Sequence, residues 1–209
     1  MPLPEVDPGM FGQRPGYDRA DLVARPRCGE LRKPIALMRH DRAVEPLDEA
    51  TIRASFVNCS KGEARRLSLP GRLADVDWAD LDFLGWRDPK APANAYLVLP
   101  RDGKVVGLAM RAAAPHLSQL KRSVCALCMT THTAADVSLF AARRIGNAGK
   151  LGNTVGTYIC ADLACSLYLR GKRKPGTPSL KQTSTVDEDV TRTMASLNKF
   201  VDEVLTDNA

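Results

Sequence analysis

The chain has 209 residues, of which 44% are hydrophobic and 26% charged, a composition typical of a globular protein rather than a disordered tail. It contains no run of about 18 apolar residues, which excludes a membrane-spanning helix, and its N-terminus lacks the apolar stretch of a signal peptide. We therefore expect a cytoplasmic protein whose six cysteines stay reduced. Metal binding or burial explains such cysteines better than disulfide bonds do.

The positive charge is concentrated in one part of the chain. The net charge is +6, and the segment from Leu120 to Lys174 contains nine cations against two acids, a net +7. An anionic partner, either a nucleic acid or an acidic protein face, fits this asymmetry. The alternative is a solvated basic surface that only keeps the protein soluble.

Residues 1–45 contain six prolines and little hydrophobic periodicity, so we interpret them as a disordered leader. An alternative start at Met38 would leave the residues before it outside the native protein. Order is expected to begin with a helix over Leu47–Phe56, where Ile52, Phe56 and Cys59 share one face. We expect residues 46–209 to form one domain, with a zinc unit over about 120–174.

The remaining elements follow from local signals. A short helix is predicted around Trp78 to Gly85, and Asp102-Gly103 favours a tight turn between two strands. The final helix, Val186–Leu205, begins at a capping-box pattern formed by Thr185 and Glu188. The predicted strands are Ala95–Leu99, Val105–Met110, Asp136–Ala141 and Thr157–Ile159. The pattern predicts an α+β fold, with a small antiparallel sheet, a treble-clef zinc finger and a closing amphipathic C-terminal helix.

Four cysteines form two pairs in the basic segment. Cys125 and Cys128 have C-x₂-C spacing, and 31 residues separate them from Cys160 and Cys165, which have x₄ spacing. Zinc takes four soft ligands in a tetrahedron, and a C-x₂-C knuckle supplies two of them from one turn. A knuckle, a hairpin and a helix that carries the last ligand describe a treble clef.

Four cysteine ligands leave no open coordination position, so one structural Zn²⁺ is expected rather than a catalytic one. A redox C-x-x-C pair and four buried thiols are the rival interpretations, but a redox motif does not need the second pair. His132 is interpreted as a loop histidine rather than a ligand. The glycine-rich stretch 146–156 lacks the pattern of a phosphate-binding loop and is interpreted as a flexible tip between two strands.

Several segments resemble the FBP family, the elongation-factor-G-binding proteins related to the fusidic acid resistance protein FusB. The resemblance runs from about Leu47 to Lys174, and the matching segments are SFVNCSKGEARRLSLP, DLDFLGWRDP, SVCALCMTTH, VSLFAARRIG and GNTVGTYICADLACSLYLRGK. It implies a C-terminal treble-clef zinc domain that binds elongation factor G and promotes its release from the ribosome, without catalysis. It also implies the same four zinc ligands. The family's resistance proteins carry an N-terminal helical bundle, which residues 1–45 do not match.

The candidate partner-binding residues are cationic or aromatic side chains near the zinc unit. Those after Cys165 are expected on or just beyond a helix that the metal fixes, and a second pair lies in the neighbouring hairpin; the set is Tyr168, Arg170, Lys172, Arg173, Arg143 and Arg144. The alternative is a cationic helix end that complements its own dipole. The ribosome or its RNA is a further candidate partner, since a direct RNA binder would use the same basic surface. No catalytic motif is visible, so an enzyme is not predicted.

Overall fold

The computed structural model describes residues 44–114, 121–177 and 183–207. The predicted leader therefore lies outside the described residues, except for Val44 and Glu45. Val44 is buried, and its N–H donates a hydrogen bond to the carbonyl of Leu81 at 2.9 Å. None of the helices in the described ranges is long and apolar enough to cross a membrane.

Five α-helices are present in the described residues: α1 (Glu49–Ala54), α2 (Lys61–Arg66), α3 (Gly146–Lys150), α4 (Cys165–Leu169) and α5 (Val186–Leu205). Both α2 and α5 begin with a capping box, in which the N-cap hydroxyl and the carboxylate three residues later satisfy each other's backbone N–H groups. The prediction for α5, with Thr185 and Glu188 as its cap, is thus confirmed. The first helix is shorter than predicted and begins at the N-cap Asp48.

Five strands form an antiparallel sheet in the order β1-β2-β3-β6-β7, and β4 and β5 form a separate hairpin. Their bounds are β1 (Leu84–Arg87), β2 (Asn94–Arg101), β3 (Lys104–Ala112), β4 (Arg122–Val124), β5 (Thr131–Thr133), β6 (Val137–Arg143) and β7 (Thr154–Cys160). The β2–β3 turn contains Asp102 and Gly103 at φ angles of 50° and 71°. This is the conformation for which Asp-Gly is favoured, and the predicted hairpin and α+β class are confirmed.

The large sheet has a hydrophobic cluster on each face. The first cluster packs α5 and the four cysteines against the sheet, and it includes Phe140 and Phe200. The second cluster packs α1, α2 and the loop around Trp78 against strands β1 to β3. Strand β2 lies between the two clusters, so both its faces are buried from Ala95 to Leu99. Cys59 packs at the margin of the second cluster and is half-buried.

The helix predicted around Trp78 to Gly85 is wrong. Two 3₁₀ turns (Leu73–Asp75 and Trp78–Asp80) are followed directly by β1, which contains Gly85. A Cβ atom at Gly85 would lie 2.7 Å from the Cβ of Leu163 and 3.0 Å from a methyl group of Leu97. This glycine therefore marks a close approach between the sheet and the cysteine region.

The glycine-rich stretch 146–156 is also more regular than predicted, because it contains α3 and the start of β7. The carboxylate of Asp207 accepts hydrogen bonds from the backbone N–H groups of Asn147 and Ala148. Gly146 has a φ of 66°, and a Cβ there would clash with the same carboxylate. A residue 59 positions away from Ala148 thus stabilises this helix, and a local sequence pattern cannot reveal it.

Candidate metal centre

The first cysteine pair lies in the turn that joins β4 to β5. The N–H of Cys125 donates to the carbonyl of Thr130 at 3.1 Å, and the N–H of Met129 donates to the carbonyl of Cys125 at 3.0 Å. Met129 has a positive φ of 59°, which folds the turn tightly enough for Cys128 to face the same side as Cys125. The C-x₂-C segment therefore forms the knuckle that its spacing predicts.

The second pair joins the end of β7 to the start of α4. Cys160 is the last residue of β7 and Cys165 is the first residue of α4. Between them, the N–H of Leu163 donates to the carbonyl of Cys160 at 2.9 Å, and Leu163 has a φ of 58°. This turn absorbs the extra residues of the x₄ spacing, so both sulfur atoms point toward the knuckle.

The four cysteines meet in one buried cluster. Their sulfur atoms all lie within 4.8 Å of one another, and all four residues are fully buried. The Sγ–Sγ distance is 3.8 Å between Cys125 and Cys165 and 3.6 Å between Cys128 and Cys160. A tetrahedral zinc with Zn–S bonds of about 2.3 Å places its sulfur atoms about 3.8 Å apart. The cluster therefore fits a single structural Zn²⁺.

The electrostatics of the cluster also favour a cation. Hydrogen bonds from the neighbouring thiols, that of Cys125 first, stabilise a thiolate at Cys128 and lower its pKa well below the usual range. The same interactions and burial raise the pKa values of Cys160 and Cys165 well above that range. A bound Zn²⁺ supplies the positive charge that lets all four thiols deprotonate.

His132 lies beside this cluster, and its interpretation as a loop histidine is wrong. It is in β5, fully buried, with Nε2 3.3 Å from the sulfur of Cys160. Its ring packs edge-on against Tyr168 at a centroid distance of 4.7 Å. Side chains alternate along a strand, so His132 points inward while its neighbours Thr131 and Thr133 do not. A protonated Nε2 would donate a hydrogen bond to the Cys160 thiolate.

The predicted partner-binding residues after Cys165 are held by carboxylates from other parts of the chain. The hydroxyl of Tyr168 donates to Asp162 at 2.8 Å, and burial together with this hydrogen bond raises the pKa of the phenol. Arg170 donates two parallel hydrogen bonds to Asp82, at 2.6 and 2.8 Å. Asp82 is almost fully buried, so this pair belongs to the interior of the fold.

Lys172 and Arg173 differ from Arg170 in exposure. Lys172 pairs with Asp80 at 3.0 Å and Arg173 with Asp162 at 3.2 Å. The two cationic side chains remain 59% and 52% exposed, so their charges still face solvent. The acidic partners of this segment were not identified from the sequence. Asp82 lies 88 residues from Arg170 in the chain, whereas Asp162 lies in the turn between Cys160 and Cys165, and no local pattern marks either as a partner.

Arg143 and Arg144 lie at the end of β6, and their side chains have different surroundings. The guanidinium of Arg144 donates to the carbonyls of Glu203 and Thr206 at the C-terminal end of α5. The side chain of Arg143 is exposed and makes no hydrogen bond or ion pair within the described residues. The structure thus places Arg144 in a helix cap and Arg143 on the surface of the sheet.

A buried four-sulfur cluster built from a knuckle, a hairpin and a short helix defines a treble-clef zinc module in which the metal has a structural role. The profile of the family described as "FBP C-terminal treble-clef zinc-finger" matches residues 51–204, which is most of the chain. The chain belongs to this family.

Among solved structures, that of the fusidic acid resistance protein FusC is similar, with a TM-score of 0.45 and 16% sequence identity. The match covers 76% of this chain and 58% of that protein, so this chain spans little more than half of the FusC structure. No curated protein sequence matches this chain.

Proposed function

We propose that this chain is a non-enzymatic, cytoplasmic binding module that contacts elongation factor G and promotes its release from the ribosome, with Cys125, Cys128, Cys160 and Cys165 as ligands of one structural zinc ion. The observation that carries the proposal is the family match over residues 51–204 together with the closed four-cysteine cluster. A tetrahedral site filled by four cysteines leaves no position for a substrate. The metal then stabilises the fold without taking part in a reaction, and the function that we infer is binding.

The zinc cluster supports a surface that the chain could not hold otherwise. Helix α4 has five residues and would not be stable in isolation. Its first residue is Cys165, and its C-terminal end is fixed by the ion pair between Arg170 and Asp82. Lys172 and Arg173 follow immediately, so both ends of the preceding helix are anchored before this basic segment begins.

Lys172, Arg173 and Lys174 are the cations that we propose to contact elongation factor G. All three are exposed, and the first two have carboxylate partners at the surface. Exposed ion pairs contribute only about 0–1 kcal/mol, so an acidic face of a partner can replace them at little cost. Because Arg170 holds a buried carboxylate, its part in binding would be to position this segment.

A pull-down with purified, zinc-loaded protein and elongation factor G tests the proposal, with and without ribonuclease. We expect capture that survives ribonuclease and falls at least about tenfold in the double variant Lys172→Glu/Arg173→Glu, through lost charge pairs and new repulsion. The matched control, Lys61→Glu/Arg66→Glu, makes the same charge change on exposed positions of α2 and should bind normally. Equal capture by both double variants would contradict the proposed surface.

Release from the ribosome needs a second measurement. Ribosomes carrying elongation factor G are pelleted with and without the protein, and the factor left in the supernatant is quantified. We expect the wild type to increase the released fraction and the Lys172→Glu/Arg173→Glu variant not to do so. If the protein binds the factor but leaves its ribosome occupancy unchanged, release is not its function.

Direct RNA binding is the second candidate, because the segment 120–174 has nine cations against two acids. Exposed Lys121 and Arg122 extend the basic surface onto β4. An RNA complex would weaken steeply with salt, with a log–log slope set by the number of phosphates contacted. Capture of elongation factor G that disappears with ribonuclease, together with such a slope for purified ribosomal RNA, would replace the protein-binding proposal.

A further inference from the structure

A cleft of about 320 Å³ lies on the face of the sheet that is opposite α5. Helices α1 and α2 cover this face only over β1 to β3, and the cleft opens where their cover ends. The helical side contributes Cys59, Glu63 and Leu67, and the floor contains Tyr96, Ala109 and Ala141. It shares none of these residues with the zinc cluster.

The walls of the cleft are held together by one buried amide. The side-chain N–H₂ of Asn58 donates to the carbonyls of Ala109 and Arg143, at 2.9 and 3.0 Å. Its carbonyl oxygen accepts from the N–H of Ala109 at 2.8 Å. Asn58 therefore fixes the segment before α2 to both β3 and β6. The cleft is preformed, and a ligand would not have to order it.

Two arginines on neighbouring strands line the rim of the cleft. Arg111 is paired with Ala141 in the β3–β6 register, and Arg143 lies two residues further along β6 on the same face. Such diagonal neighbours have side chains that start about 7–8 Å apart. The side chain of Arg143 makes no hydrogen bond within the described residues and interacts with the charge of Glu63, and Arg111 makes a 3.4 Å hydrogen bond with Asn94. Two adjacent, largely unpaired guanidinium groups favour an anion between them.

Among the described residues, Glu63 is the one carboxylate that lines the cleft, and it offsets part of the positive charge of the two arginines. Hydrogen bonds from Ser60 and, more weakly, the charge of Arg143 lower the pKa of Glu63, and one of its carboxylate oxygens receives both hydrogen bonds inside the capping box of α2. Burial, and then the charge of Glu63, raise the pKa of Cys59, so the thiol stays neutral. The cleft thus combines an apolar floor of small and aromatic side chains with a cationic rim.

We propose that this cleft binds a small amphipathic anion, an aromatic carboxylate whose ring lies on Ala109, Ala141 and Tyr96 and whose carboxylate lies between Arg111 and Arg143. Ala109 and Ala141 have only methyl side chains, so the floor of the cleft leaves room for a flat ring. The guanidinium pair sets the charge of the ligand. This site is independent of the zinc cluster and of the proposed contact with elongation factor G.

The probe is 2-naphthoate, titrated into ¹⁵N-labelled, zinc-loaded protein and followed by amide chemical shifts. We expect saturable shifts at Ala109, Ala141 and Thr154, with a Kd of about 1 mM or tighter for a ligand of this size. The isosteric neutral 2-naphthamide should bind at least about tenfold more weakly, because it loses the charge-assisted hydrogen bonds. Equal affinities for the two compounds, or shifts only elsewhere, would overturn the proposal.

Variants of the two arginines test whether their guanidinium groups bind the carboxylate of the ligand. Arg143→Met and Arg111→Met each remove one guanidinium and keep most of the side-chain volume, and each should weaken 2-naphthoate about tenfold without changing the affinity for 2-naphthamide. Lys150→Met is the matched control, since this exposed cation on α3 does not line the cleft. The amide spectrum of each variant reports directly whether it is folded. Unchanged 2-naphthoate affinity in both folded arginine variants would refute the assignment.

Discussion

Replacing Arg170 by Met tests whether the cation after the zinc finger supports the fold. The guanidinium of Arg170 makes two hydrogen bonds to Asp82, whose side chain is only 3% exposed. Methionine keeps the apolar stem and removes the charge. Because Asp82 stays behind without its partner, the variant leaves a carboxylate buried in the interior.

The expected cost is about 3 kcal/mol of unfolding free energy. Breaking a buried ion pair from one side typically costs about 3–5 kcal/mol, and the lower end applies because the arginine side chain is itself 18% exposed. For a domain of this size, each kcal/mol corresponds to about 2–4 °C in melting temperature. We therefore expect Arg170→Met to melt about 6–12 °C below the wild type.

The assay is thermal and urea unfolding of zinc-loaded protein, with the zinc content of each sample measured. Arg173→Met is the matched control, because its partner Asp162 is partly exposed and the ion pair lies at the surface. We expect that control to lose no more than about 1 kcal/mol. If Arg170→Met is as stable as Arg173→Met, the buried pair does not hold the basic segment to the sheet, and the reasoning is refuted.

Three further predictions concern the metal, a close contact and acid. Cys160→Ser should release zinc and unfold at least residues 120–174, seen as lost metal and lost circular dichroism, and a variant that retains one zinc per chain would contradict the structural role. Gly85→Ala should destabilise the fold by about 1–3 kcal/mol in urea unfolding, because its Cβ would lie 2.7 Å from the Cβ of Leu163. The control is Gly62→Ala on α2, where a Cβ would make only ordinary contacts at 3.9–4.0 Å; it should instead stabilise by up to about 1 kcal/mol, and equal effects would refute the contact. Hydrogen bonds from Thr185 lower the pKa of Glu188 in the folded protein. The ionised carboxylate therefore contributes to the free energy of unfolding above about pH 4.3, the usual pKa of glutamate, and this contribution is lost as the pH falls through the lowered pKa. Unfolding free energies at matched zinc content should therefore depend less on pH in Glu188→Gln than in the control Glu203→Gln.

Much of the fold could be predicted because its signals are local. The capping box of α5 and its apolar stripe lie within the helix itself, and the Asp102-Gly103 turn lies between the two strands it joins. The cysteine pairs could be assigned to one metal because a structural zinc site takes four ligands and the two pairs supply that number, whichever strands carry them. These features depend on residue type and spacing, which the sequence contains in full.

Other features could not be predicted because they depend on residues distant in the chain. The sequence pattern predicts a helix that runs into the first residues of β1, Leu84 and Gly85, because nothing near Gly85 in the sequence indicates its contact with Leu163. The sequence does not show that His132 is buried, because its burial follows from the position of β5 beside the second cysteine pair.

The basic segment shows most clearly the difference between what the sequence reveals and what only the folded structure reveals. Its positive charge could be counted from the sequence, but not which cations are available to a partner. Arg170 is held by Asp82, 88 residues away, whereas Arg143 faces a cleft that forms only when β6 pairs with β3. The sequence by itself determined the type and number of the chemical groups, including the four zinc-binding thiols. Only the tertiary structure decided which charges are neutralised in the interior and which face solvent, because that depends on the carboxylates that folding brings within hydrogen-bond distance.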